Sequence, residues 1–131
     1  MPYTLDNVEI HWLFKTKFLT YIYMRLSHKV VITIPSTMGL DIPIDNTEYV
    51  NRVANKLAIL FGGSRIVSNI KGYYIADNGT QVIEDNIDII AFFDTLDDDT
   101  IEKIVKIALD VKNNMRQESI LYQIDDIAYI E

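Results

Sequence analysis

No cysteine occurs anywhere in the 131 residues. That absence excludes disulfides, thiolate nucleophiles and cysteine-ligated zinc or iron–sulfur centres, and it fits a cytoplasmic protein. Histidine is nearly as scarce, with only His11 and His28. Widely separated and without an acidic partner in register, they provide neither the base of a serine triad nor a set of metal ligands, so no metal and no cofactor is expected. Long apolar runs are also missing. The stretch from Phe18 to Met24 is broken by Thr20 and flanked by Lys15, Lys17 and Arg25, far short of the ~18 apolar residues that cross a bilayer. No small-residue cleavage site follows it, so the reading is neither a membrane span nor a secretory signal. Proline is limited to three residues, while 49% of the chain is hydrophobic and 24% charged. This is the composition of one folded domain with a single core, not of a disordered chain.

Positive charge is in short supply over most of the sequence. The net charge is −7. Residues 1–29 carry Lys15, Lys17, Arg25 and Lys29 against Asp6 and Glu9, so this segment is basic and the remaining body strongly acidic. An acidic body repels a phosphate backbone, which argues against nonspecific nucleic-acid binding. The basic segment also holds Trp12, Phe14, Phe18, Tyr21 and Tyr23. It is read as a helix or strand that packs on the body or forms a dimer contact, ahead of a domain over residues 30–131.

Within that domain, Val30-Val-Ile-Thr-Ile34 is a β-branched run closed by Pro35, the signature of a strand that ends where a backbone donor is lost. Asp45 with Glu48 three residues later has the form of a capping box, and Val50, Val53, Ala54, Leu57, Ala58 and Phe61 then trace one helix face. Arg65–Ala76 and Val82–Phe93 read as strands, the first bulged near Gly72. They are joined across Asn78-Gly79, a strong hairpin signal because both residues tolerate positive φ. After the cluster Asp97-Asp98-Asp99 a second amphipathic helix runs through Ile101, Ile104, Val105, Ala108, Val111 and Met115. Ser119–Ile124 is a short final strand, with Ile127–Ile130 extending it or forming a tail.

The pair Gly62-Gly63 sits after a helix. Phosphate-cradling glycines lie between a strand and the free N–H groups of a following helix, whereas a glycine past a helix end meets exposed carbonyls that repel phosphate. The glycine is therefore a C-cap, and one of the two is expected at positive φ.

The order β-α-β-β-α-β is that of the ferredoxin-like α+β fold, an antiparallel sheet with both helices on one face. Val31 beside Ile32 and Ile89 beside Ile90 make the central strands apolar on both faces. Something must cover the second face, and the expected partner is a second copy of the chain, a homodimer.

Ile34-Pro-Ser-Thr37, Phe61-Gly-Gly-Ser64, Gly72-Tyr-Tyr74, Asn78-Gly-Thr-Gln-Val-Ile-Glu84 and Gln117-Glu-Ser119 together resemble a group of small uncharacterised proteins of phages, archaeal viruses and cellular genomes. The resemblance spans about Val30 to Ile124. It implies the same fold and a viral or mobile-element origin, and it names no reaction.

The polar residues at the strand ends form the candidate cluster: Ser36, Thr37, Ser64, Tyr74, Glu84, Gln117 and Ser119. Loops at sheet edges are where function concentrates, although hydroxyls after strands also serve to satisfy turns. Asp97, Asp98 and Asp99 are assigned to the start of the second helix, where the macrodipole favours acids. No catalytic set stands out, and the leading expectation is an interaction protein that binds a host or viral protein. A metal-dependent nuclease or other phosphoryl-transfer enzyme is the alternative, with Asp41, Glu84 and Glu118 as ligands. A third possibility is an acidic decoy for a nucleic-acid-binding protein.

Overall fold

A computed structural model describes residues 25–131. The expectations for the aromatic N-terminal segment, His11 included, fall outside these residues. Nine elements follow in order: β1 (His28–Ile34), β2 (Thr37–Met38), β3 (Ile42–Pro43), α1 (Thr47–Phe61), β4 (Arg65–Ile75), β5 (Gln81–Phe93), α2 (Asp98–Asn114), β6 (Leu121–Ile124) and β7 (Ile127–Ile130). The strand order is β4-β5-β1-β6-β7, with every neighbouring pair antiparallel. Without β7 this is the ferredoxin-like sheet predicted from the sequence. Ile127–Ile130 is neither a tail nor an extension of β6 but a fifth strand, folded back at the Asp125-Asp126 turn and tied further by the Ile120–Glu131 backbone pair. The two-residue strands β2 and β3 form a small separate ribbon between β1 and α1.

Alternation along β1 sorts the sheet faces. Val30, Ile32 and Ile34 are buried, and their cross-strand partners Ala91, Ile89, Tyr122 and Ile124 are buried with them. Val50, Val53 and Leu57 of α1, and Ile104, Ile107, Ala108 and Val111 of α2, complete one core on that face. Each fully buried aliphatic side chain there contributes roughly 1.5–3 kcal/mol. Phe61 at the end of α1 stacks on Phe93 with ring centroids 4.4 Å apart. Lys29, Val31 and Thr33 of β1 look the other way, paired with Phe92, Ile90 and Asp88. Among the described residues, no helix is long and apolar enough to cross a membrane.

Several local details differ from the sequence reading. Helix α1 begins at Thr47 with Asn46 as N-cap residue. Asp45 turns back instead to accept from the Thr47 amide, and Glu48 pairs with Arg52 rather than closing a capping box. The hairpin pairs Tyr73 with Ile83 and Ile75 with Gln81 as expected. Its loop, however, spans three residues: Ala76 and Thr80 are bridged, Gly79 donates to Ala76, and only Gly79 has positive φ. That is a type I turn closed by a left-handed glycine. The bulge in β4 lies at Asn69 (φ 64°), between Val67 and Ile70, and not at Gly72. Gly62 is the C-cap at φ 91°, its N–H donating to Ala58 at 2.7 Å. Asp97 caps α2 by accepting from the Thr100 amide at 2.8 Å, which accounts for the acidic cluster.

Candidate functional site

Beyond the bulge, β4 and β5 run on as a hairpin arm, one side of which continues the sheet face that carries no helix. Asp88, Asn86, Glu84 and Val82 alternate along that face of β5, opposite Val67, Ile70, Gly72 and Tyr74. Opposite the arm stand the β2 loop and residues 117–121 leading into β6. Between them opens a cleft of about 470 Å³, the size of a small-molecule site. Tyr74, Glu84, Asn86, Gln117, Glu118 and Ser119 line its polar part, and Ile75, Leu121 and Ile130 its apolar wall. Its acids are Glu84, Glu118 and Asp77. No lysine or arginine lines it among the described residues.

Among the described residues Glu84 is the most deeply buried ionisable carboxyl, only 7% exposed. Its Oε1 lies 3.3 Å from the Tyr74 hydroxyl and 3.4 Å from Thr37 Oγ1. Both contacts are long for hydroxyl–carboxylate bonds, which leaves the group room to adjust. Thr37 has one proton to give, and its nearer acceptor is the Gly39 carbonyl at 3.0 Å. Glu84 therefore receives at most a weak share of it. Burial pushes the Glu84 carboxyl above its ordinary range, and hydrogen bonds from Tyr74 and Thr37 only partly offset this. Burial, followed by the Glu84 charge, pushes the Tyr74 hydroxyl up to about 12. At neutral pH Tyr74 is thus a donor.

Gln117 also braces the cleft wall. Its Nε2 donates to the carbonyls of Thr37 and Gly39, each at 2.9 Å, and so holds the β2 loop that positions the Thr37 hydroxyl. Thr37, Tyr74, Glu84, Gln117 and Ser119 of the predicted cluster thus converge. Ser64 does not join them; its Oγ donates to the Ala54 carbonyl at 2.7 Å and completes the end of α1. Ser36 does not line the cleft, and its carbonyl accepts from Ile44. Of the acids named for a nuclease, Glu84 and Glu118 share the cleft, while Asp41 is exposed outside it. Asp45 is occupied at the start of α1, and Asp85 points to the other face, 4.0 Å from Lys71. His28 is engaged elsewhere, its Nδ1 2.8 Å from Asp125 Oδ2 at the β6–β7 turn.

Asn86 escaped the sequence reading because one polar residue in an alternating strand looks like a solvent-facing position. Its Oδ1 is buried with no partner among the described residues, a state that costs about 1–3 kcal/mol. The signal that could have exposed it is Gly72 on the facing strand. A Cβ on Gly72 would come 2.7 Å from Asn86 Nδ2, so only glycine leaves the amide its place.

No family model matches the chain, and no curated protein matches it. Two solved structures share its fold. A phage SAM lyase in complex with S-methyl-5'-thioadenosine superposes with a TM-score of 0.65 at 18% identity, over 79% of this chain and 88% of that one. A phage SAM lyase in the apo state gives a TM-score of 0.63 at 17% identity, over 79% and 87%.

Proposed function

We propose that the cleft binds an adenosyl sulfonium compound such as S-adenosylmethionine and that the chain is a lyase acting on it. The observation that carries this reading is the charge of the cleft. Glu84, Glu118 and Asp77 line it without a described basic residue beside them, and such a lining favours a cation and opposes phosphate. A nucleoside fits about 470 Å³. The phage lyases of the same fold, one of them holding S-methyl-5'-thioadenosine, support the choice of cation.

The chemistry asks little of the protein. Release of S-methyl-5'-thioadenosine breaks the bond between the sulfonium sulfur and Cγ of the methionine part, and the electron pair goes to sulfur, which becomes a neutral thioether. Attack on Cγ by the substrate's own carboxylate closes a lactone and balances the step without any proton transfer. Opposite charges vanish in this step, so a cleft that excludes water favours it. Exposed Glu118 and Asp77 draw the cation in. Glu84 accepts from the Tyr74 hydroxyl and so steadies the Tyr74 ring, which offers a face to the cation. The test is chromatography of the full-length protein with S-adenosylmethionine. Release of S-methyl-5'-thioadenosine is expected, lowered by roughly tenfold or more in Glu84→Ala and Tyr74→Ala, the scale of one lost polar contact. The absence of both release and binding of the nucleoside would defeat the reading.

A second reading, association with another copy of the chain, is favoured by one observation. Leu121 and Ile130 pair across β6 and β7 beside the cleft and are 43% and 72% exposed.

A further inference from the structure

We infer that Asn86 reads the exocyclic amine of an adenine base and thereby sets the nucleoside specificity of the cleft. The inference rests on the reading of the cleft as a nucleoside site. Asn86 lies two residues along the same strand face from Glu84, roughly 7 Å by strand geometry, and lines the same cleft. Its Oδ1 is a buried acceptor with no donor among the described residues. The terminal torsion of asparagine is soft, and the glycine at position 72 leaves the amide unobstructed where any Cβ would collide with it. Turning the amide towards the cleft is how Oδ1 gains a donor, and the ligand supplies it.

An amide presents an acceptor and a donor side by side in one plane. Adenine presents the complementary pair, its amine beside a ring nitrogen. The α-ammonium of an amino acid is matched less well by an amide than by a carboxylate, and Glu118 and Asp77 already provide carboxylates in this cleft. The apolar side chains of Ile75, Leu121 and Ile130 line the same cleft and suit the faces of a flat base.

The experiment is calorimetric titration of the full-length protein with two probes, S-methyl-5'-thioadenosine and its analogue lacking the 6-amino group. The wild type is expected to prefer the adenine compound by about tenfold or more, since a site that leaves a polar group unpaired rejects the analogue. In Asn86→Ala the ratio should fall close to one. Gly72→Ala, whose backbone φ lies outside the left-handed region, should lower the ratio as well by displacing the amide. Equal binding of the two probes by the wild type, or an unchanged ratio in Asn86→Ala, overturns the inference while leaving the nucleoside site standing. Loss of S-adenosylmethionine binding without loss of discrimination between the probes would reassign Asn86 to the amino-acid end. Failure of the wild type to bind either probe removes the proposed function and this inference together. The ratio within the wild type needs no variant to fold.

Discussion

Gln117 and Thr37 stand 80 residues apart in the chain and are joined by a 2.9 Å hydrogen bond from the Gln117 amide to the Thr37 carbonyl. The same nitrogen also reaches the Gly39 carbonyl at 2.9 Å and the Met115 carbonyl at 3.2 Å, so its two protons serve three acceptors. The link ties the β2 loop to the segment entering β6, the two walls that face the hairpin arm. Gln117→Glu places a carboxylate against three carbonyls and removes both amide protons. It is expected to cost about 2 kcal/mol or more in urea unfolding, against about 1 kcal/mol for Gln117→Ala, which leaves room for water. Equal losses for the two would mean that the amide does not buckle the loop.

Glu84 gives a pH dependence of definite sign. Its carboxyl is held above its ordinary pKa by burial, so the folded state binds the proton more tightly than the unfolded chain does. The stabilisation is complete below the unfolded-chain pKa and is lost as pH rises through the folded value. Glu84→Gln, which cannot ionise, should therefore melt higher than the wild type at pH 7, and the gap should close at pH 4. A gap that widened on acidification would reverse the sign and with it the account of the buried carboxyl.

Gly62 and Gly63 separate a conformational requirement from a packing one. Only Gly62 is left-handed, and a side chain at either position would meet nothing within 4 Å. Gly62→Val is expected to destabilise by about 1 kcal/mol or more, and Gly63→Val by less than about 0.5 kcal/mol. Chemical denaturation of both variants checks the difference.

Association of copies is tested at the cleft mouth. Light scattering of the full-length protein at micromolar concentration should give a mass above that of one chain. Ile130→Asp, which places a charge on the exposed Leu121–Ile130 pair, should lower it. A monomer mass for the wild type would defeat the second reading and leave the cleft chemistry untouched.

What was legible in the sequence is what short-range physics decides. The β-branched run of β1, the periodic faces of α1 and α2 and the glycine ending α1 each follow from residues within a turn or two of one another, and the ferredoxin-like order follows from those elements. Tyr74, Glu84, Gln117 and Ser119 belong to the polar cluster that the sequence suggests, and the fold brings them into one cleft, with Thr37 beside it at 3.4 Å from Glu84. Ser64 was misassigned because a hydroxyl that closes a helix and one that faces a ligand look alike until Ala54 is seen to accept from it. Asp41 likewise shows its separation from Glu84 only in space. The isolated glycine in β4 suggested a bulge, but Asn69 took the left-handed conformation instead, which asparagine tolerates well. Asn86 was invisible because its significance depends on Gly72, its diagonal neighbour on β4.

The kink at Asn69 makes β4 two rulers laid end to end with their markings offset by one. On the first, Arg65 and Val67 share a face with Ile90 and Asp88; on the second, Ile70, Gly72 and Tyr74 take over that face beside Asn86 and Glu84. Side chains in a strand alternate, so the single extra residue decides which of two adjacent tyrosines faces the carboxylate. A β4 that kept Asn69 but ran straight through without the bulge would carry Asn69, Lys71 and Tyr73 on that face, with the bulk of Lys71 or Tyr73 where Gly72 made room. The parity of this one strand thus acts as a reading frame for the cleft, and the bulge is the point at which the frame is reset.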